Sequence, residues 1–117
     1  SVTDPSYKTT IAGNLIDLGF PNEGVSLLKN QIRKNPRDQY ALSGLSLYFE
    51  LNGNIREAIN YRKLIEELDP WNAKNYLQLA RDYRDIKEYE LSSQYVQKIK
   101  SFASNSEIGQ STLIEFP

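Results

Sequence analysis

Apolar residues return at helical intervals along most of the chain. Tyr76, Leu79, Ala80 and Tyr83 recur at helical spacing, as do Leu91, Tyr95, Val96 and Ile99, so each set falls on one face of a helix. Leu42, Leu45 and Phe49 make a third stripe, and Ala58, Leu64, Ile65 and Leu68 a fourth. Ile11, Leu15 and Leu18, followed by Val25, Leu28 and Ile32, make two more. No run alternates apolar and polar residues between hairpin turns, which is what strands would require. The pattern predicts an all-α chain of six helices, with a seventh near the C-terminus.

The helices recur on a period. Pro36 and Pro70 are 34 residues apart, and so are Gly19 and Gly53. Asp4, Asp38, Asn72 and Ser106 fall on the same spacing. Each has a side chain that can accept a hydrogen bond from an orphaned N–H in a first helical turn. Asn22 and Asn54 stand where second helices should begin, and either can cap. The period divides the chain into three units, 5–38, 39–72 and 73–106. The segment 107–117 follows as a capping helix or partly ordered tail, weakened as a helix by Gly109 and Thr112.

Within each unit, small residues sit where two helices would need to approach. Ala12, Ser46 and Ala80 do so on the first helices, and Gly24, Ala58 and Ser92 on the second. Gly19 and Gly53 can take the left-handed conformation that ends a first helix. Pro36 and Pro70 stop the second helices.

A 34-residue helix-turn-helix period with these large and small positions resembles the tetratricopeptide repeat. The third unit carries the pattern as Tyr76, Leu79, Ala80, Tyr83, Ser92, Val96 and Ile99, the second as Leu42, Leu45, Ser46, Phe49, Ala58, Arg62, Ile65 and Pro70. The first fits less well, with Lys8 where an aromatic is expected, and the third has Lys87 and Ser104 in place of the turn Gly and junction Pro. The resemblance implies a right-handed superhelical stack of about three antiparallel repeats, whose first helices line a concave groove that binds a peptide or partner protein. On the stripe facing that groove stand Tyr40 and Leu47 in the second unit and Lys74, Gln78 and Arg81 in the third, so a partner with an acidic group is expected near the third unit. The alternative is that Tyr40 and Leu47 fill the cleft, while Lys74 and Arg81 pair with Asp82 and Asp85. The clamp of the chaperone-binding subfamily falls on Thr9, Gly13, Gly44, Lys74 and Gln78, where only Lys74 fits. Trp71 is expected to pack between the second and third units, or else to stand exposed as a binding anchor.

A fainter likeness runs from Ile55 to Ile59 and from Glu67 to Leu77. It is similar to the soluble C-terminal repeat regions of bacterial O-antigen polymerases and ligases. That likeness implies a tail tethered to a membrane-embedded parent chain, on either the cytoplasmic or the periplasmic side.

Composition narrows the chemistry. The net charge is −1, from 14 Lys and Arg against 15 Asp and Glu. A nucleic-acid binder needs a basic excess to displace counterions, so none is expected as a partner. No stretch is apolar for long enough to span a membrane. His and Cys are absent, which removes the usual general base and the usual metal ligands. No phosphate-cradling glycine cluster or calcium loop is found. Glu66–Glu67 and Asp82/Asp85 are read as solvated helix faces. The expectation is a non-catalytic scaffold with no cofactor and no metal. Met is absent even at position 1, so the chain is read as a piece of a larger protein.

Overall fold

The computed structural model describes residues 5–117, and the side chains from residue 7 onward. Its described residues form seven helices and no strand: α1 Pro5–Asp17, α2 Pro21–Lys34, α3 Gln39–Leu51, α4 Ile55–Leu68, α5 Ala73–Asp85, α6 Tyr89–Ala103 and α7 Glu107–Glu115. The first six pair as hairpins, α1 on α2, α3 on α4 and α5 on α6. Contacts of α2 with α3 and of α4 with α5 join the hairpins in sequence, and α7 lies on α5 and α6. The resulting body measures 40 × 29 × 21 Å.

The helix starts follow from local chemistry. Asp38, Asn72 and Ser106, each one 34-residue repeat apart, accept hydrogen bonds from the backbone N–H groups of Ala41, Asn75 and Gly109. Asp4 lies outside the described residues. The second helices begin differently. Asn54 occupies the N-cap of α4, but its side chain makes no capping bond. Asn22 lies inside α2, because Pro21 sets the first turn and Phe20 takes the cap. Proline suits that position, since its missing N–H would have gone unpaired anyway.

The turns inside the hairpins share one conformation. Gly19 has φ 93° and Gly53 has φ 78°. Lys87, one period further on, adopts φ 65° without being glycine. The third turn therefore carries backbone strain that the first two avoid.

The small residues do close the hairpins. Ala12, Ser46, Ala58 and Ala80 are fully buried, and Ser92 is nearly so. Ser92 Oγ donates to the carbonyl of Ala80 at 2.7 Å, tying α6 to α5. A Cβ on Gly24 would stand 2.6 Å from the carbonyl oxygen of Ala12, so only glycine allows α1 and α2 this close. Some expected core positions lie outside the core. Leu18, in the turn after α1, is exposed, as are Leu64 and Leu91, with Ile11 at the margin.

The tail is also more ordered than its composition promises. Gly109 and Thr112 are buried in α7. A Cβ on Gly109 would fall 1.9 Å from the Ala103 carbonyl oxygen, and Thr112 Oγ1 donates back to the Ile108 carbonyl at 2.7 Å. Glycine lets the helix lie against the end of α6, so the residue that weakens α7 in isolation is the one that docks it.

Candidate functional site

Two caps aim the helices that carry the expected groove residues. Asp38 Oδ1 accepts from Ala41 N at 3.1 Å, and its Oδ2 accepts from Gln31 Nε2 at 3.3 Å. With α3 fixed this way, Tyr40, Ser43 and Leu47 come onto one outward stripe. Tyr40 is 57% exposed and Leu47 is 49% exposed. They do not fill the space between helices. On α5, Asn72 Oδ1 accepts from Asn75 N at 3.0 Å, and Lys74, Gln78 and Arg81 follow at spacings of four and three.

These residues line two adjoining clefts. The larger, about 680 Å³, has Thr9, Arg37, Asp38, Tyr40, Ser43 and Leu47 among its walls. The smaller, about 260 Å³, is walled by Leu47, Arg62, Ile65, Lys74, Asn75 and Gln78, among others. Gln39, Ser43 and Leu47 belong to both, so the surface is continuous from Tyr40 to Gln78. Tyr40, Leu47, Lys74 and Gln78 are thus brought together.

Arg81 is not part of that wall. Its guanidinium holds Glu115 of α7, with Nε at 3.0 and 2.9 Å from the two carboxylate oxygens and Nη2 at 2.6 Å. Arg84 Nη1 reaches the same carboxylate at 3.0 Å, and its guanidinium lies over the Phe116 ring. The expected pairing of Arg81 with Asp82 or Asp85 does not form. Hydrogen bonds from Arg81 and then Arg84 hold Glu115 below the usual carboxylate range, burial opposing. Arg81 Nη1 donates to Gln78 Oε1 at 2.9 Å, which ties the rim of the smaller cleft to α7.

No protein-family model matches the chain, and no curated protein does.

The electrostatics of the clefts are set by which charges are already satisfied. Asp38 is buried and used for capping. Arg62 is paired with Glu50 at 2.9 Å, both nearly buried. Arg37, which sequence pattern did not single out, and Lys74 have side chains in no ion pair among the described residues. The unpaired charge along the surface from Tyr40 to Gln78 is therefore positive. No group of three or more His, Cys, Asp or Glu that could hold a metal occurs among the described residues. No helix there is long and apolar enough to cross a membrane.

One member of each carboxylate pair departs from the expected solvated face, while Glu67 and Asp85 are exposed. Asp82 is 4% exposed. Glu66 lies half-buried, accepting from Tyr95 Oη at 2.7 Å and from Lys98 Nζ at 2.7 Å. Burial works against the Glu66 charge, but the bonds from Lys98 and Tyr95 outweigh it and hold its pKa below the ordinary value. Asp82 lies against Glu50, and burial, followed by that neighbour, raises its pKa to about 9. Neither Asp82 nor Glu50 lines either cleft, so this buried pair faces protein rather than a substrate space. Trp71 is 72% exposed and stands nearly perpendicular to the Phe102 ring, with ring centroids 5.3 Å apart.

Proposed function

We propose that this chain is a tetratricopeptide-type stack of three hairpins and a capping helix, acting as a non-catalytic scaffold. Its concave surface from Tyr40 to Gln78 takes a peptide segment of a partner protein that bears an acidic group. The observation that carries the reading is the exposure of Tyr40 in the larger cleft and of Leu47 on the wall that the two clefts share. On α3, which carries both, Leu42 and Leu45 of the core stripe are fully buried and Phe49 is partly so. Large aromatic and aliphatic groups left open in a concavity are what interface anchors require. The unpaired Arg37 and Lys74 supply the complement to an acid, which speeds encounter and sets register more than it adds affinity.

The absence of cysteine makes a direct test simple. A photo-crosslinker placed by Ser43→Cys sits in the groove, and one placed by Lys63→Cys sits on the exposed face of α4. In a native extract, the Ser43 probe should trap a partner that is lost when Leu47→Asp is added. Trapping by the Lys63 probe alone would move the interface to the other face and refute the groove.

A further inference from the structure

Glu50 of α3, Arg62 of α4 and Asp82 of α5 meet out of water at the joint between the second and third hairpins. Arg62 grips Glu50 with both ends of its fork, Nη2 to Oε1 at 2.9 Å and Nε to Oε2 at 3.2 Å. Asp82 lies within hydrogen-bonding reach of Glu50, and its Oδ2 has no partner among protein atoms. The charges do not balance, because one buried guanidinium faces two buried carboxyls. A second uncompensated carboxylate in such a place is strongly unfavourable.

The surroundings supply no second counter-ion. Arg81 of α5 acts on Glu50 through space, but its fork is committed to Glu115 of α7. Asp85, also on α5, adds negative charge beside Asp82. Tyr83 stays protonated, because burial and then the nearby carboxylates of Glu66 and Glu88 raise its hydroxyl. A proton on Asp82, donated to the Glu50 carboxylate, satisfies the excess and leaves Glu50 free to pair with Arg62.

We propose that the second and third hairpins are locked together by a proton shared between Asp82 and Glu50, and that losing it loosens this joint while both hairpins stay helical. The elevated affinity of Asp82 for its proton agrees with this geometry. The joint also walls the smaller cleft, since Arg62 lines it opposite Lys74 and Gln78. Opening would move the α3 and α5 walls relative to each other. The lock stands on the buried triad alone and does not depend on the groove reading.

Carboxyl ¹³C NMR of the full chain, titrated from acid to alkaline pH, tests it directly. The Asp82 carboxyl should keep its protonated shift through neutrality and move only in alkaline solution. Over the same range, exchange of the amides from Asp69 to Tyr76, corrected for intrinsic rates, should accelerate by up to about tenfold per pH unit, with helical circular dichroism unchanged. Asp82→Asn keeps a donor for Glu50 but has no proton to lose, so it should abolish the acceleration. An Asp82 already ionised at pH 6 would overturn the proposal even if no variant folds. So would unchanged exchange in the wild type, or acceleration that survives in Asp82→Asn.

Discussion

Around α5 and α6, Tyr76, Leu79, Tyr83, Tyr95, Val96 and Ile99 form one buried cluster, extended by Ile108 of α7 and by Phe116 just after it. Around α1 and α2, the buried set is Ala12 and Leu28, joined by Ala41 and Leu45 of α3, while Tyr7, Leu18 and Phe20 stay exposed. The two hairpins share a period, a turn conformation and a close pair of small residues. What differs is the side chains that fill the space beside the small pair. In the third hairpin, Tyr83 stacks on Tyr95 at 5.7 Å and Tyr76 lies 5.7 Å from Tyr95, contacts that add to area burial. The first hairpin has no ring in its buried set. A repeated backbone is therefore compatible with unequal local stability, and the first hairpin should open more readily.

The largest effect that can break this contrast is a core truncation in the dense hairpin. Leu79 is fully buried and Leu18 is 74% exposed. Leu79→Ala should cost about 4 kcal/mol, and Leu18→Ala within about 0.5 kcal/mol of nothing, both by urea unfolding. Equal costs would show that packing density does not separate the hairpins. Next comes the joint between the second hairpin and the third. Arg62→Ala leaves the Glu50 and Asp82 carboxyls buried without their counter-ion, and should cost about 3 kcal/mol. In the loose hairpin, Gly24→Ala should cost about 1–3 kcal/mol by forcing α1 from α2. A neutral result there would mean the α1–α2 contact yields freely.

Asp82 carries a pH dependence of definite sign. Its folded-state pKa lies near 9, above the ordinary value of 3.8, because of burial first and Glu50 second. A carboxyl raised in the folded state contributes stability that is complete below about pH 4. That stability declines as pH rises toward about 9, since the unfolded chain has given up a proton the folded chain keeps. Asp82→Asn removes the decline. It should stabilise the protein at pH 8 and change little at pH 4. A variant that loses stability equally at both values would show that the side chain matters only for its shape.

Much of this fold is written in local rules. The period, the caps at Asp38, Asn72 and Ser106, and the left-handed turns at Gly19 and Gly53 depend on residues close in sequence, and pattern reaches them. The triad is not local. Glu50, Arg62 and Asp82 look like surface charges on their own helices, and only the approach of α5 to α3 and α4 buries them. Arg62 gave one hint, standing where the repeat pattern asks for an apolar residue, as Gln31 does in the first unit. The engagement of Arg81 was hidden for the same reason, since Glu115 is 34 residues away. Of the expected groove, Tyr40, Leu47, Lys74 and Gln78 follow helical spacing and meet as a surface. Arg37 was missed because it lies in the turn before α3, outside any stripe.

The smallest predicted effect separates packing from binding at one residue. Gly13 lies in the middle of α1, and a Cβ there would meet nothing within 4 Å. It therefore lacks the reason that Gly24 has for being glycine. A mid-helix glycine sacrifices about 0.5–1 kcal/mol relative to alanine, so Gly13→Ala should raise stability by that amount. Yet Gly13 lines an apolar recess of about 250 Å³ with Ile16, Leu28, Leu47 and Leu51, continuous through Leu47 with the proposed groove. If a partner side chain seats in that recess, the added methyl occupies part of its space, and Gly13→Ala should weaken crosslinking at Ser43 while strengthening the fold. A loss of stability would contradict the open space above Gly13. A gain in stability with undiminished crosslinking would confine the partner to the Tyr40 and Lys74 portions of the surface. Opposite movements of the two readouts would identify the recess as part of the site, because a purely structural glycine cannot lower capture while raising stability.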